Sequence, residues 1–114
     1  MASFGITKSE ILRNKKDITF LFKKGKTHFV FPFKVFYTAN SMHNRVMVSV
    51  PKRNHKTAVA RNLIKRRIKE SYRIHKALTS DNGYIDIAII YVSKDVLEFS
   101  RIDKSIATIL SQLS

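Results

Sequence analysis

The sequence predicts a single α+β domain in which helices and β-strands alternate along 114 residues. Apolar residues recur at helical spacing in three segments, and in the segments between them they alternate or run continuously. The hydrophobic content of 44% is enough for one core at this length. We therefore expect one domain covering residues 1–114.

The N-terminal part of the chain predicts a helix and then strand. Apolar residues lie close to helical spacing from Ser9 to Phe22, and Gly25 is a suitable terminator. The segment from Lys26 to Ala39 is aromatic and β-branched, with Pro32 interrupting it. This composition favours two short strands or one bent edge strand.

A further strand is predicted after a turn. Polar residues from Asn40 to Asn44 form the turn, and residues alternate from Arg45 to Val50 up to Pro51. Because the turn is short, we expect the strands on its two sides to form an antiparallel pair.

The C-terminal half predicts a long helix, a buried strand and a last helix. Ala58 to Ala77 contains neither Gly nor Pro, and Asp81 to Gly83 reads as a turn. Tyr84 to Val92 is the most continuously apolar segment and predicts a central strand. The last helix is expected from Ser100, as its N-cap, to Leu113.

The charge balance points to a polyanionic partner. Twenty-two Lys and Arg residues stand against eight acids, for a formal net charge of +14. Self-repulsion of this size opposes compaction, and nucleic acid relieves it better than an anionic membrane surface. No apolar run reaches the roughly 20 residues of a spanning helix, and no secretory signal pattern is present. We expect a cytoplasmic protein without a membrane partner.

Several kinds of site are excluded by residue type. The chain has no Cys, which removes disulfides, thiol nucleophiles and Cys-based zinc sites. Its four His residues share no metal-binding spacing, and no Ser/His/Asp arrangement or glycine-rich phosphate loop occurs. We expect no catalytic residue on the protein, no organic cofactor and no metal held by the protein alone.

Positive charge is concentrated on the long helix and the segment before it. Between Lys52 and Lys76 the chain places ten Lys or Arg residues against one acid, Glu70. Projection at about 100° per residue gathers Ala60, Ile64, Ile68, Ser71, His75 and Leu78 on one stripe, with Tyr72 at its edge. A cationic strip lies away from it: Asn62, Lys65, Arg66, Lys69, Arg73 and Lys76, with Arg61 at the border. A helix face with charges of one sign is suited to bind the phosphates of RNA or DNA. An ordinary solvated helix face normally carries both positive and negative charges.

Two stretches on and before this helix resemble the signature of the bacterial ribonuclease P protein component. They are "SVPKR", Ser49 to Arg53, and "AVARNLIKRRIKESYR", Ala58 to Arg73. "FLFKKGK", Phe20 to Lys26, is similar to the N-terminal Phe-x-x-Gly segment of that family. Leu63 and Lys69 depart from the pattern, since the family has Arg at both positions, and the connection from Asn54 to Thr57 lacks the usual glycine.

The resemblance implies a fold and a role. The fold is an α/β sandwich in the order α-β-β-β-α-β-α, with a four-stranded mixed sheet, three helices and a left-handed βαβ crossover. Pattern alone favours the right-handed crossover. The role is that of a protein subunit of ribonuclease P, which binds ribonuclease P RNA and the 5′ leader of precursor tRNA. The RNA performs the hydrolysis, with Mg²⁺ held mainly by the RNA and the substrate.

The resemblance also assigns candidate binding residues. The residues expected to contact the catalytic RNA are Lys52, Arg53, Arg61, Asn62, Lys65, Arg66, Lys69 and Arg73. The leader is expected in a groove between the first helix and the sheet, lined by Ile18, Phe22, Lys24, Phe33, Val35 and Tyr37. Phe22 and Tyr37 match the leader-contacting aromatic positions of the family.

Two other functions are compatible with a basic helix. One is a ribosome-associated or general RNA chaperone without a role in tRNA processing. The other is a helix-turn-helix DNA binder, which the strand order disfavours, so no DNA partner is expected. A ribonuclease P subunit should restore precursor-tRNA cleavage by a bacterial ribonuclease P RNA at low Mg²⁺, whereas a general RNA chaperone should not.

Overall fold

A computed structural model describes residues 10–40, 44–76 and 84–113. Its elements are α1 (Lys15–Lys24), β1 (Lys26–Val30), β2 (Phe33–Asn40), β3 (Arg45–Ser49), α2 (Ala58–His75), β4 (Tyr84–Tyr91) and α3 (Phe99–Gln112). The order is the predicted α-β-β-β-α-β-α. The predicted turns at 40–44 and 81–83, and Leu78, lie wholly or partly outside the described residues.

The strands form one four-stranded mixed sheet in the order β1-β2-β4-β3. β2 is antiparallel to β1 and to β4, whereas β3 and β4 are parallel. β4 is the predicted central strand. The expected β2–β3 pair is wrong, because β4 lies between these two strands and hydrogen-bonds to both of them.

Helices cover both faces of the sheet. On one face α2 and α3 enclose the main core, whose fully buried members include Phe33, Ile64, Ile89 and Ile106. On the other face α1 covers a smaller cluster around Leu12, Leu21 and Ala88. This layering is the predicted α+β sandwich.

The first helix starts later than predicted. The Asn14 side-chain oxygen accepts hydrogen bonds from the backbone N–H groups of Lys16 (2.9 Å) and Asp17 (3.3 Å). These bonds satisfy otherwise unpaired donors, so the helix begins at Lys15 rather than near Ser9. Ile11 instead forms a parallel bridge with Val46 beside β3.

The other helix boundaries follow similar local chemistry. Thr57 caps α2, because its hydroxyl oxygen accepts a bond from the Ala60 N–H at 3.2 Å. The predicted N-cap of α3 is wrong, since Ser100 lies inside the helix and Glu98 occupies the cap position without a side-chain bond. Helices α2 and α3 are joined where the Asp103 carboxylate accepts bonds from Ser71 (2.8 Å) and His75 (3.0 Å).

Candidate nucleic-acid interface

Helix α2 presents a polar face to solvent and an apolar face to the core. Ile64, Ile68, Ser71 and Tyr72 are buried on its underside. A shallow depression on the outer side is lined by Asn62, Lys65, Arg66, Lys69, Glu70 and Arg73. We call Asn62, Lys65, Arg66, Lys69 and Arg73 the α2 strip. The packed underside orients the strip rigidly, as the helical projection predicted.

One acid lies within the strip. Arg73 donates to the Glu70 carboxylate through both Nε (3.1 Å) and Nη2. This hydrogen bonding lowers the pKa of Glu70 and raises the pKa of Arg73. At neutral pH Glu70 is therefore ionised and neutralises part of the charge of Arg73.

Arg61 has a different role from the α2 strip. Its Nη1 donates to the backbone carbonyls of His55 (2.9 Å) and Lys56 (3.0 Å), so it holds the connection before α2 against the helix. Lys52 and Arg53 are exposed on that connection, next to the strip in sequence. Arg61 thus combines a predicted RNA contact with a structural role.

His55 anchors the same connection on its other side. The buried ring donates from Nε2 to the Ser93 carbonyl at 2.8 Å and packs beside Tyr91, with ring centroids 5.6 Å apart. A histidine therefore fixes this connection, which lacks a glycine.

Two cations, one on α2 and one directly after it, turn away from the strip. Arg67 donates to the Leu97 carbonyl at 2.6 Å, next to α3. Lys76, which the projection placed on the strip, pairs with Glu10 at 2.9 Å. Tertiary contacts thus make the cationic face shorter than the sequence suggested.

A second surface lies between α1 and the sheet. The rings of Phe22 and Phe36 meet edge to face, with centroids 4.7 Å apart. Lys34 places its Nζ 5.3 Å from the Phe36 centroid, and Ile18 packs against the cluster beneath. We call Ile18, Phe22, Lys34 and Phe36 the α1 groove. Lys24 is exposed at the end of α1, beside this surface in sequence.

Three predicted groove residues face the wrong side of the sheet. Phe33 and Val35 are completely buried in the main core, where no base can reach them. Tyr37 shares their face, because side chains two apart on a strand point the same way, and it packs half-buried against the same core. Placing these three in the groove between α1 and the sheet is therefore wrong.

The aromatic residue that the sequence reasoning missed is Phe36. It faces α1, as do its cross-strand neighbours Thr27 and Ala88. The strict alternation of β2 was the available signal. It separated residues 33, 35 and 37 from residues 34 and 36, but it did not indicate which set would meet the larger helical layer.

The comparisons with known proteins agree with this geometry. The family model described as Ribonuclease P matches residues 6–114. The chain belongs to the ribonuclease P protein family. Membership gives it the role of a ribonuclease P subunit in tRNA processing, and makes it part of the ribonuclease P holoenzyme.

Individual members of the ribonuclease P protein family resemble the chain over most of its length. The ribonuclease P protein component of Porphyromonas gingivalis is 33% identical over 122 residues, which cover 99% of this chain and 89% of that protein. The component of Clostridioides difficile is 34% identical over 103 residues, covering 89% of each.

Solved structures of the ribonuclease P family share the fold. The protein from Thermotoga maritima superposes with a TM-score of 0.80 at 25% identity, covering 92% of this chain and 98% of that one. The protein from Staphylococcus aureus gives a TM-score of 0.75 at 29% identity, covering 90% and 94%.

The α2 strip of this ribonuclease P protein does not suit a metal ion held by the protein. Among the described residues no group of three or more His, Asp or Glu side chains is arranged to hold one. The α2 strip is cationic, and ammonium and guanidinium groups repel Mg²⁺ instead of binding it.

None of the helices in the described ranges has the length and apolar content needed to cross a membrane.

Proposed function

We propose that the α2 strip, with Lys52, Arg53 and Arg61, binds the catalytic RNA of ribonuclease P. The observation that carries this proposal is that the α2 strip lines a depression on one side of a helix whose other side is buried. Arg and Lys side chains held in this way bind phosphates at defined positions with little loss of conformational freedom. Asn62 adds an amide that hydrogen-bonds a ribose hydroxyl or a base edge.

The α1 groove binds the single-stranded 5′ leader of precursor tRNA. Phe22 is 37% exposed, and together with Phe36 it offers aromatic surface for base stacking. Lys34 and Lys24 supply cations for the leader backbone. We assign base stacking to Phe36 instead of Tyr37, because Phe36 lies on the face of the sheet that α1 covers only in part.

Hydrolysis itself belongs to the RNA. The protein neutralises repulsion between the two RNAs and holds the leader in register, and the Mg²⁺ ions are held by the RNA and the substrate. This action takes place in the cytoplasm, on precursor tRNA.

Reconstitution tests the proposal. Adding the protein to a bacterial ribonuclease P RNA at low Mg²⁺ should restore cleavage of precursor tRNA at the mature 5′ end. The double substitution Lys65→Ala and Arg66→Ala should weaken binding to the catalytic RNA. The matched control Lys94→Ala and Lys104→Ala, which removes two exposed cations away from the α2 strip, should have a much smaller effect.

Two results would contradict the proposal. The first is tight RNA binding without restored cleavage, which favours an RNA chaperone. The second is an equal loss of affinity in both double variants, which means that net charge rather than the α2 strip determines binding.

A further inference from the structure

Helix α1 rests on the sheet through a small apolar contact. Leu21 is its one buried side chain, and it meets Leu12 and Ala88 in the smaller cluster. The contact is much smaller than the main core between the sheet, α2 and α3. Polar contacts therefore have a large share in setting the position of α1.

One polar contact joins α1 to two strands. Arg45 on β3 donates to both oxygens of Asp86 on β4, from Nε at 2.8 Å and from Nη2 at 2.7 Å. Its remaining Nη1 donates to Asp17 on α1 at 3.0 Å. We call these three residues the Arg45 clamp.

The burial of the clamp decreases from the sheet toward α1. The Asp86 side chain is 6% exposed, Arg45 22% and Asp17 41%. Hydrogen bonding to Asp86 is the largest of the effects that raise the pKa of Arg45, so the guanidinium stays charged at all physiological pH values. Arg45 and Asp86 are thus held in place on the sheet, and the bond from Arg45 to Asp17 holds α1 in position relative to them.

The clamp lies next to the α1 groove. Asp86 is two residues before Ala88, which is the cross-strand partner of Phe36, so both face α1 from adjacent positions on the sheet. Asp17 precedes Phe22 by five residues, about 7.5 Å along the helix. The Asp17 contact holds the N-terminal end of α1, while Gly25 closes its other end with a bond to the Leu21 carbonyl.

We propose that Asp17 and Arg45 are positioning residues for leader recognition. They hold α1 where Phe22 meets Phe36 edge to face and the two rings present one aromatic surface, without touching RNA themselves. The inference rests on the proposed function, since it assigns the groove to the leader.

Asp17→Asn tests the proposal because it changes one contact at the exposed end. The variant keeps the shape of the side chain and leaves the Arg45–Asp86 pair intact, so the fold should persist. It also raises the net charge by one, which by electrostatics alone strengthens binding to any RNA. The clamp predicts the opposite for the leader: the holoenzyme's preference for precursor over mature tRNA should fall about threefold to tenfold. Affinity for the catalytic RNA should be unchanged or slightly higher.

Two further variants separate position from charge. Asp95→Asn adds the same charge at an exposed site outside α1, and it should leave the preference unchanged. Asp17→Glu keeps the carboxylate, and it should restore most of the preference. Backbone amides of α1 should exchange hydrogen faster in Asp17→Asn, while those of α2 should not.

The outcomes are distinguishable. A preference that falls in Asp17→Asn and recovers in Asp17→Glu supports the clamp. Equal behaviour of Asp17→Asn and Asp95→Asn overturns it, because only charge then matters. A wild-type holoenzyme that shows no preference for the leader overturns the proposed groove, and the inference falls with it.

Discussion

At the scale of single residues, one step along a strand separates a core residue from a candidate RNA contact. Phe36 and Tyr37 are neighbours in sequence, yet Phe36 faces α1 and Tyr37 faces the main core. The period of two in a strand makes this assignment all-or-none. The two residues therefore predict different mutational effects.

Phe36→Leu should weaken binding of precursor tRNA and leave mature tRNA unaffected. Leucine keeps the apolar contact with Leu21 and Ala88 but removes the aromatic plane, whose stacking on a base is worth about 1–3 kcal/mol. The measurement is the affinity of the reconstituted holoenzyme for both tRNAs. Tyr37→Phe is the matched control and should change neither affinity. A larger loss in Tyr37→Phe would place the leader on the other face of the sheet.

Glu70→Gln should strengthen binding to the catalytic RNA. Glu70 is the one acid of α2, and its replacement removes the negative charge that neutralises part of the charge of Arg73. We expect log K to fall more steeply with log salt, by up to about 0.9 for one added phosphate contact. Glu98→Gln, with the same change in charge at an exposed site outside the α2 strip, should leave the slope unchanged.

The same residue predicts how binding depends on pH. Arg73 lowers the pKa of Glu70 below its ordinary 4.5, so the ion pair is complete above that value and is lost as the pH falls through the lowered one. Titration of Glu70 should therefore not affect RNA binding between about pH 5 and 8. A Glu70-dependent change within this window, seen in wild type and absent in Glu70→Gln, would contradict the ion pair.

At the scale of elements, short local contacts decide where helices begin and end. Asn14 and Thr57 act as side-chain caps, and Gly25 ends α1 where a side chain has no room. A Cβ atom on Gly25 would lie 2.4 Å from the Leu21 carbonyl oxygen and 2.9 Å from Leu21 Cδ1. The φ angle of −69° is open to any residue, so the constraint is steric.

Gly25→Ala should lower the free energy of unfolding by about 1–3 kcal/mol, the usual cost of overpacking. Urea titration measures this change. Lys26→Ala, one residue further at an exposed position, should cost less than the glycine substitution. An unchanged stability in Gly25→Ala would mean that the junction between α1 and β1 relaxes without strain.

At the scale of the whole molecule, the net charge of +14 gives salt two opposing effects. Cations repel one another in the free protein, and added salt screens that repulsion within a Debye length of about 10 Å at 0.1 M. In the complex the same salt competes for the phosphates. Folding and binding should therefore respond to salt with opposite signs.

Raising NaCl from about 50 to about 200 mM should increase the free energy of unfolding. Over the same range the affinity for the catalytic RNA should fall about 10²- to 10³-fold for five phosphate contacts. Urea titrations and binding isotherms at the two salt concentrations measure these changes. A protein that salt destabilises would show that its ion pairs, such as Arg45 with Asp86, outweigh the repulsion.

The sequence by itself determined the class of fold, the succession of helices and strands apart from the number of strands between Lys26 and Ala39, and the position of the α2 strip. These features depend on periodicity within single segments, which is present in the chain before folding. Ile64 and Ile68 recur at helical spacing, and Lys65, Arg66 and Lys69 follow on the other side of the same helix.

Only the tertiary structure decided which strands pair, which face of β2 meets α1, and which cations remain on the α2 strip. Each of these depends on residues distant in sequence: β4 separating β2 from β3, the larger layer of α2 and α3 covering Val35, and Glu10 reaching Lys76. The physical reason is that alternation divides a strand into two faces but does not show which face is more deeply buried. The depth of burial depends on the amount of apolar surface that the other elements bring to each face.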